Sequence, residues 1–128
     1  MTIVSRIRQL DLPTDQFIVI GSGLLDAYGL RQADDIDLVV SGSLYQTLRE
    51  TGLYNEQRRH DEDYLFAHKQ EIWRTWGGEW TFSRLQHDSV TVDGIKFVSP
   101  TVLIAKKRER GSVKDINDIA MLEKYLLT

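Results

Sequence analysis

The sequence has no cysteine and only two prolines among its 128 residues. Without cysteine, disulfide bridges, thiolate zinc sites and cysteine nucleophiles are excluded, and the chain fits a reducing compartment. The three histidines, His60, His68 and His87, show no metal-ligand spacing and are interpreted as surface residues.

Long apolar runs are also missing. No segment approaches the ~20 apolar residues of a membrane span, and residues 1–12 are amphipathic rather than typical of a signal peptide. A chain of 128 residues that is 41% hydrophobic is long enough to bury one core. We therefore expect a single domain over 1–128, in a soluble cytoplasmic protein with no membrane partner.

The charge balance is slightly acidic, with a net charge of -3. This argues against strong electrostatic binding of nucleic acid, which needs a dense basic surface. Residues 106–114 nevertheless gather five of the 16 lysines and arginines. The default interpretation of such a run is a solvated face.

Periodicity and turn residues predict an order of helix, strand, helix, strand, helix, then short strands and two helices. Strands are expected at 17–20 and 36–40. One hairpin is expected to pair 63–67 with 70–74, and a second is expected around the turn Asp93-Gly94. Expected helices cover 3–12, 24–28, Ser43 to about 51, a short segment near 82–85, 100–108 with Ser99 as N-cap, and 112–127. The last helix, with Ile116, Ile119, Leu122 and Leu126 on one face, is expected to pack on the sheet.

Two acids stand at the start of the second strand. Asp35 and Asp37 are two residues apart, so their side chains should share a face, where like charges repel. A magnesium ion held by both carboxylates and by substrate phosphates would resolve this conflict. Upstream, Gly21-Ser22-Gly23 joins a strand to a helix, a setting that suits a phosphate group. Either feature alone is common, but 12 residues separate Ser22 from Asp35 and apolar strands flank both, which favours phosphoryl or nucleotidyl transfer.

These residues resemble the polymerase-beta-like nucleotidyltransferase superfamily, whose pattern is an apolar residue, Gly and Gly or Ser, followed by D-h-[DE]-h, where h is apolar. The matching residues are Ile20-Gly21-Ser22 and Asp35-Ile36-Asp37-Leu38. The segment "KKRERGSVKDINDI" is similar to a motif of small bacterial members, which include minimal and toxin-antitoxin-type enzymes. The resemblance implies an α+β nucleotidyltransferase-like fold, a short mixed sheet flanked by helices.

The resemblance also implies roles. Asp35 and Asp37 would bind Mg²⁺ or Mn²⁺, and a third carboxylate from a later strand would be a further ligand or the base; Glu71 is the first choice and Glu79 the rival. Two metals ~4 Å apart would clamp an in-line displacement at the alpha-phosphate of a nucleoside triphosphate. The expected nucleotide-binding residues are Gly21, Ser22, Gly23, Lys107, Arg110 and Lys114.

For the basic residues a structural role is equally compatible with the sequence: Lys114 could pair with an acid, and Asp115 and Asp118 could be helix-start charges. Trp73, Trp76 and Trp80 could stack on a base, but such residues are more often core.

Three functions remain open. The first is a nucleotidyltransferase whose acceptor is a protein, an RNA or a small molecule. The second is a catalytically reduced binding module of the same fold, for example an antitoxin-type protein partner. The third, a purely structural domain, leaves the Asp35/Asp37 pair as a coincidence.

Overall fold

The computed structural model describes all residues from Met1 to Thr128 as six helices and nine strands. The helices are α1 Ile3–Arg8, α2 Gly23–Ala27, α3 Gly42–Glu50, α4 Phe82–His87, α5 Pro100–Arg110 and α6 Val113–Leu126. The strands are β1 Phe17–Ile20, β2 Ile36–Val40, β3 Asn55–Arg59, β4 Glu62–Ala67, β5 Gln70–Trp73, β6 Thr75–Trp76, β7 Trp80–Thr81, β8 Val90–Val92 and β9 Ile95–Phe97.

Seven short strands form one mixed sheet in the order β3-β4-β5-β2-β1-β9-β8, and β6 and β7 form a separate ribbon. The strand β1 runs antiparallel to β2 and parallel to β9, while β2 runs parallel to β5. The expected α+β class with a mixed sheet flanked by helices is therefore confirmed. None of the six helices combines the length and apolar character that crossing a bilayer requires.

The central strands are buried because they are apolar on both faces, as strands covered on both sides must be. All four residues of β1 are buried, and β2 is interrupted only by the half-buried Asp37. These strands contribute to a core of 29 buried hydrophobic residues that also includes residues of α1, α3 and α5. Asp37 is thus a polar side chain at the edge of an apolar core.

Capping residues and prolines in the sequence predicted where several helices begin or end. Ser99 caps α5 by accepting a hydrogen bond from the Val102 amide, with Pro100 at the first helical position. The predicted cap of α3 was wrong: Ser41, in extended conformation, accepts from the Leu44 amide, and Ser43 lies inside the first turn. Helix α1 ends at Arg8, earlier than predicted.

One strand was not predicted, and the expected packing of the last helix was wrong. The strand β3 was missed because all five of its residues are exposed and polar, so it carries no hydrophobic signal; it lies at the sheet edge, paired with β4. Helix α6 packs mainly against α5, and its predicted apolar face is incomplete, since Ile116 is 58% exposed and Leu126 49% exposed. The residues that α6 buries include two acids, Asp115 and Asp118.

Candidate active site

The centre of the site is the pairing of β2 with β5. In this parallel pair Asp37 stands directly opposite Glu71, so both side chains leave the same face of the sheet. Asp35 lies just before β2 and is exposed. The pairing brings together two of the sequence-predicted acids that are separated by 33 residues of the chain.

The electrostatics of Asp37 reflect this crowding. Burial, and then the negative charges of Glu71 and Asp35, raise the pKa of Asp37 to about 7, against the opposing influence of Arg59 and Arg110. The ionised form of Asp37 is therefore disfavoured, first by desolvation and then by the neighbouring acids. A bound cation would supply compensating positive charge.

The turn Gly21-Ser22-Gly23 lies next to Asp37. Gly21 follows β1 with φ of +68°, a left-handed conformation that glycine adopts without strain, and an added Cβ would lie 3.0 Å from Oδ2 of Asp37. Gly23 has a different role, because a Cβ there would lie 2.5 Å from Cγ1 of Val19. Gly21 therefore allows close approach to the acid, and Gly23 allows close packing of the core.

Asp37, Glu71 and Gly21 open into a cleft of about 500 Å³. Its walls come from the end of β1, the strands β2 and β5, the tip of the β3–β4 hairpin, the segment 75–78 and helix α5. The charged residues that line it are four acids and four bases, namely Asp37, Glu62, Glu71 and Glu109 with Arg59, Lys106, Lys107 and Arg110.

One carboxylate oxygen of Glu71, Oε1, is bound by two neighbouring side chains. Its Oε1 accepts hydrogen bonds from Nη2 of Arg59 at 2.7 Å and from Nε1 of Trp73 at 3.1 Å. The Arg59 guanidinium also lies 4.9 Å from the ring centroid of Tyr64 and 5.2 Å from that of Trp73. No group of three or more His, Cys, Asp or Glu side chains is arranged to hold a metal ion, so Asp37 and Glu71 form an acidic pair rather than a complete ligand set.

The rival acid lies elsewhere. Glu79 is exposed, stands in the turn between β6 and β7, and its carboxylate is 3.6 Å from Arg84. It does not line the cleft. Of the two acids considered for the third position, Glu71 alone is beside Asp37.

The predicted basic residues divide into two groups. Lys107 and Arg110 line the cleft and bind the buried acids of α6, Lys107 to Asp118 at 2.9 Å and Arg110 to Asp115 at 2.6 Å. Lys114 is exposed, lies 3.9 Å from Asp34 and does not line the cleft.

Asp35, Ser22 and Gly23 also lie outside the residues that line the cleft. Gly23 is buried in the core, and the Ser22 hydroxyl accepts a hydrogen bond from Arg31 at 2.7 Å. Among the three residues of the turn, Gly21 is the one on the cleft surface.

Several cleft residues were missed from the sequence. Arg59 and His60 come from the unpredicted hairpin tip. Trp76, for which a core position was favoured over base stacking, is half-buried and lines the cleft with its ring 5.3 Å from Nζ of Lys106. One available signal was helical spacing: four of the five α5 residues that line the cleft, Leu103, Lys106, Lys107 and Arg110, follow the i, i+3, i+4, i+7 pattern of a single helix face.

The architecture is a nucleotidyltransferase-type fold. The chain is similar to the crystal structure of the aminoglycoside nucleotidyltransferase ANT(2")-Ia in complex with adenylyl-2"-tobramycin, with a TM-score of 0.59 and 16% sequence identity over 98% of this chain and 86% of that chain. No protein-family model and no curated protein sequence matches the chain. The likeness is one of fold, and membership of the small bacterial branch stays a prediction.

Proposed function

We propose that this protein is a nucleotidyltransferase, which transfers a nucleoside monophosphate from a nucleoside triphosphate to an acceptor. The observation that carries the proposal is the position of Asp37, opposite Glu71 and against Gly21, at a cleft with four basic side chains. The nucleotidyltransferase-type fold supports it.

The residues fit a hard divalent cation, Mg²⁺ or Mn²⁺. Carboxylate oxygens are the donors that such ions prefer, and a bound cation would stabilise the ionised form of Asp37, which burial and the neighbouring acids disfavour. Asp35 and Asp37 would hold the ion, with Glu71 as the third acid; Arg59 binds Oε1 of Glu71 and leaves Oε2 for this role. When bound, the cation would stabilise charge on the reacting phosphoryl oxygens.

The chain's own groups supply the rest of the chemistry. The acceptor oxygen forms a bond to the alpha-phosphorus, the bond from that phosphorus to the bridging oxygen breaks, and pyrophosphate leaves. Glu71 takes the proton that the acceptor hydroxyl loses. Lys106, Lys107 and Arg110 offset the charge of the triphosphate from one helix face. Gly21 and Lys107 would lie beside its phosphates, with Ser22 next to Gly21 in the turn behind them. Gly23 and Lys114 have structural roles in this proposal.

A small molecule is the first acceptor class to test, because ANT(2")-Ia was solved with an adenylylated small molecule. The present cleft balances four acids with four bases, so it offers no surplus negative charge for a polycation such as tobramycin. We therefore propose a neutral or anionic acceptor that carries a hydroxyl group, and protein and RNA acceptors are tested beside it.

The experiment follows transfer of alpha-labelled nucleoside monophosphate. Each of the four nucleoside triphosphates is incubated with Mg²⁺ or Mn²⁺, the protein and either tobramycin or the small-molecule, RNA or protein fraction of a cell extract. We expect labelled product and pyrophosphate with one extract fraction, and loss of both in the Asp35→Asn/Asp37→Asn variant. Asp15→Asn/Asp88→Asn, two exposed acids outside the cleft, is the matched control.

The contact between Arg59 and Glu71 favours one second candidate, a catalytically reduced binding module. In that case the 2.7 Å ion pair neutralises the acid permanently, and the cleft binds nucleotide without turnover. Tight nucleotide binding with no labelled product in any fraction would support the module and refute the enzyme.

A further inference from the structure

Four polar side chains form a closed ring behind the cleft wall. Arg31 donates to both carboxylate oxygens of Asp118, each at 2.7 Å, and its Nη2 also donates to Oγ of Ser22 at 2.7 Å. Nζ of Lys107 donates to Oδ2 of Asp118 at 2.9 Å and lies 3.5 Å from Oγ of Ser22. The ring thus joins the glycine turn to α5 and α6.

Two members of the ring are buried, and Arg31 and Ser22 are partly exposed. Asp118 is 1% exposed and Lys107 is 3% exposed. Burial alone would raise the pKa of Asp118, but hydrogen bonds from Arg31 and Lys107 outweigh that influence, and the pKa lies below its ordinary value. Such a charge network is costly to disrupt, so it fixes the relative positions of the groups that it binds.

Ser22 occupies a particular place in the ring. Arginine and lysine are donors only, so both contacts use the lone pairs of the Ser22 oxygen and neither uses its hydrogen. The hydrogen is therefore free for an incoming acceptor. Two cationic neighbours make the hydroxyl a stronger donor, which suits an anionic oxygen.

We propose that Arg31 is a positioning residue for the nucleotide phosphates and that it acts through Ser22. This inference rests on the proposed function. Neither Arg31 nor Ser22 is among the residues that line the cleft, so Arg31 acts indirectly. It orients the Ser22 hydroxyl, which lies 3.5 Å from Nζ of the cleft residue Lys107, and it holds the turn whose neighbouring residue, Gly21, does line the cleft. Asp118 anchors the Arg31 guanidinium at both oxygens.

The test is a double-mutant cycle between Arg31→Lys and Ser22→Ala. Lysine keeps the positive charge beside Asp118 but lacks the planar fork that reaches both partners. The dissociation constants of the four magnesium-bound nucleoside triphosphates are measured by calorimetry. Each single variant should weaken binding about tenfold, and the double variant also about tenfold rather than about a hundredfold, because Arg31 has no hydroxyl left to orient.

Unfolding free energies without nucleotide are measured in parallel, and Arg49→Lys, which alters another ion-paired arginine, is the matched control with unchanged affinity. If Arg31→Lys does not fold, Arg31→Gln replaces it. Multiplying losses, or an Arg31 variant that loses stability but keeps full affinity, would overturn the positioning role and leave the proposed function intact. A wild-type protein that binds none of the four nucleotides would overturn both.

Discussion

An alanine methyl group at position 21 would lie 3.0 Å from the Oδ2 oxygen of Asp37. The distance is short because Ile20, at the end of β1, pairs with Asp37 of β2, which places Gly21 beside the carboxylate. The absence of a side chain at Gly21 is therefore a requirement of the site as well as of the turn.

Gly21→Ala should destabilise the protein more than Gly29→Ala does. Both glycines have positive φ, +68° and +73°, so both variants carry the left-handed backbone cost of about 1–2 kcal/mol. Position 29 has open space around it, so any further loss at position 21 measures the contact with Asp37. Urea unfolding provides the comparison. In the Asp37→Ala background, which removes the carboxylate, the loss caused by Gly21→Ala should fall to that of Gly29→Ala. Equal losses in the two single variants would show that the contact is unimportant.

The raised pKa of Asp37 predicts a pH-dependent stability. Its folded-state pKa of about 7 exceeds the unfolded value, so the folded protein holds this proton more tightly. The free energy of unfolding should therefore fall as pH rises from about 4 to about 7 and stay low above that range. The Asp37→Asn variant has no carboxyl group at this position, so this pH dependence of the unfolding free energy should be absent from it.

Without nucleotide, Asp37→Asn should thus be more stable than wild type by at least about 1 kcal/mol at about pH 8, and by much less at about pH 4.5. Chemical unfolding at both pH values measures the difference. Asp15→Asn, at an exposed position, should show no such change. A constant difference for Asp37→Asn would mean that its carboxyl group titrates normally.

Nucleotide should stabilise the wild-type protein only when the acid pair is intact. A ligand at about 100 times its dissociation constant adds about 2.7 kcal/mol, which corresponds to a melting-temperature rise of at least about 5 °C. Magnesium with a nucleoside triphosphate should produce that rise in wild type and in Asp15→Asn/Asp88→Asn, but not in Asp35→Asn/Asp37→Asn. Scanning fluorimetry measures it, and an equal rise in the acid-pair variant would locate the cation elsewhere.

Much of the fold could be predicted because its signals are local. The strand at 17–20, the hairpin turn at Asp93-Gly94 and the Ser99-Pro100 helix start each depend on a few adjacent residues. The acid motif was likewise visible as a spacing of residues. These features reflect intrinsic conformational preferences, which a single sequence displays directly.

The rest depends on contacts distant in sequence. The pairing of Asp37 with Glu71 requires the parallel alignment of β2 with β5. The hydrogen bond that Glu71 accepts comes from Arg59 on an edge hairpin, whose strand β3 has no apolar pattern. The buried ion pairs of α6 were hidden because Asp115 and Asp118 resemble ordinary helix-start charges. Only their partners on α5 and in the loop before β2 explain their burial.

The choice between Glu71 and Glu79 can be tested on the chemical step. Glu71→Gln keeps the shape of the side chain and its contacts as an acceptor through Oε1, but removes the charge beside the attacking oxygen. Since Asp35, Asp37 and the basic face of α5 remain, nucleotide affinity should change little. The rate of nucleotidyl transfer should fall by at least about a hundredfold, because general-base catalysis contributes about that much or more.

Glu79→Gln is the matched control, since it makes the same chemical change at an acid outside the cleft. Single-turnover transfer of labelled nucleotide, with calorimetric affinity measured on the same preparations, separates binding from chemistry. Transfer that survives Glu71→Gln but disappears in Glu79→Gln would move the third carboxylate to the β6–β7 turn, which would then have to close over the cleft. Transfer that survives both changes would show that neither acid accepts the proton, and the acceptor hydroxyl would then be activated by Asp35 or Asp37.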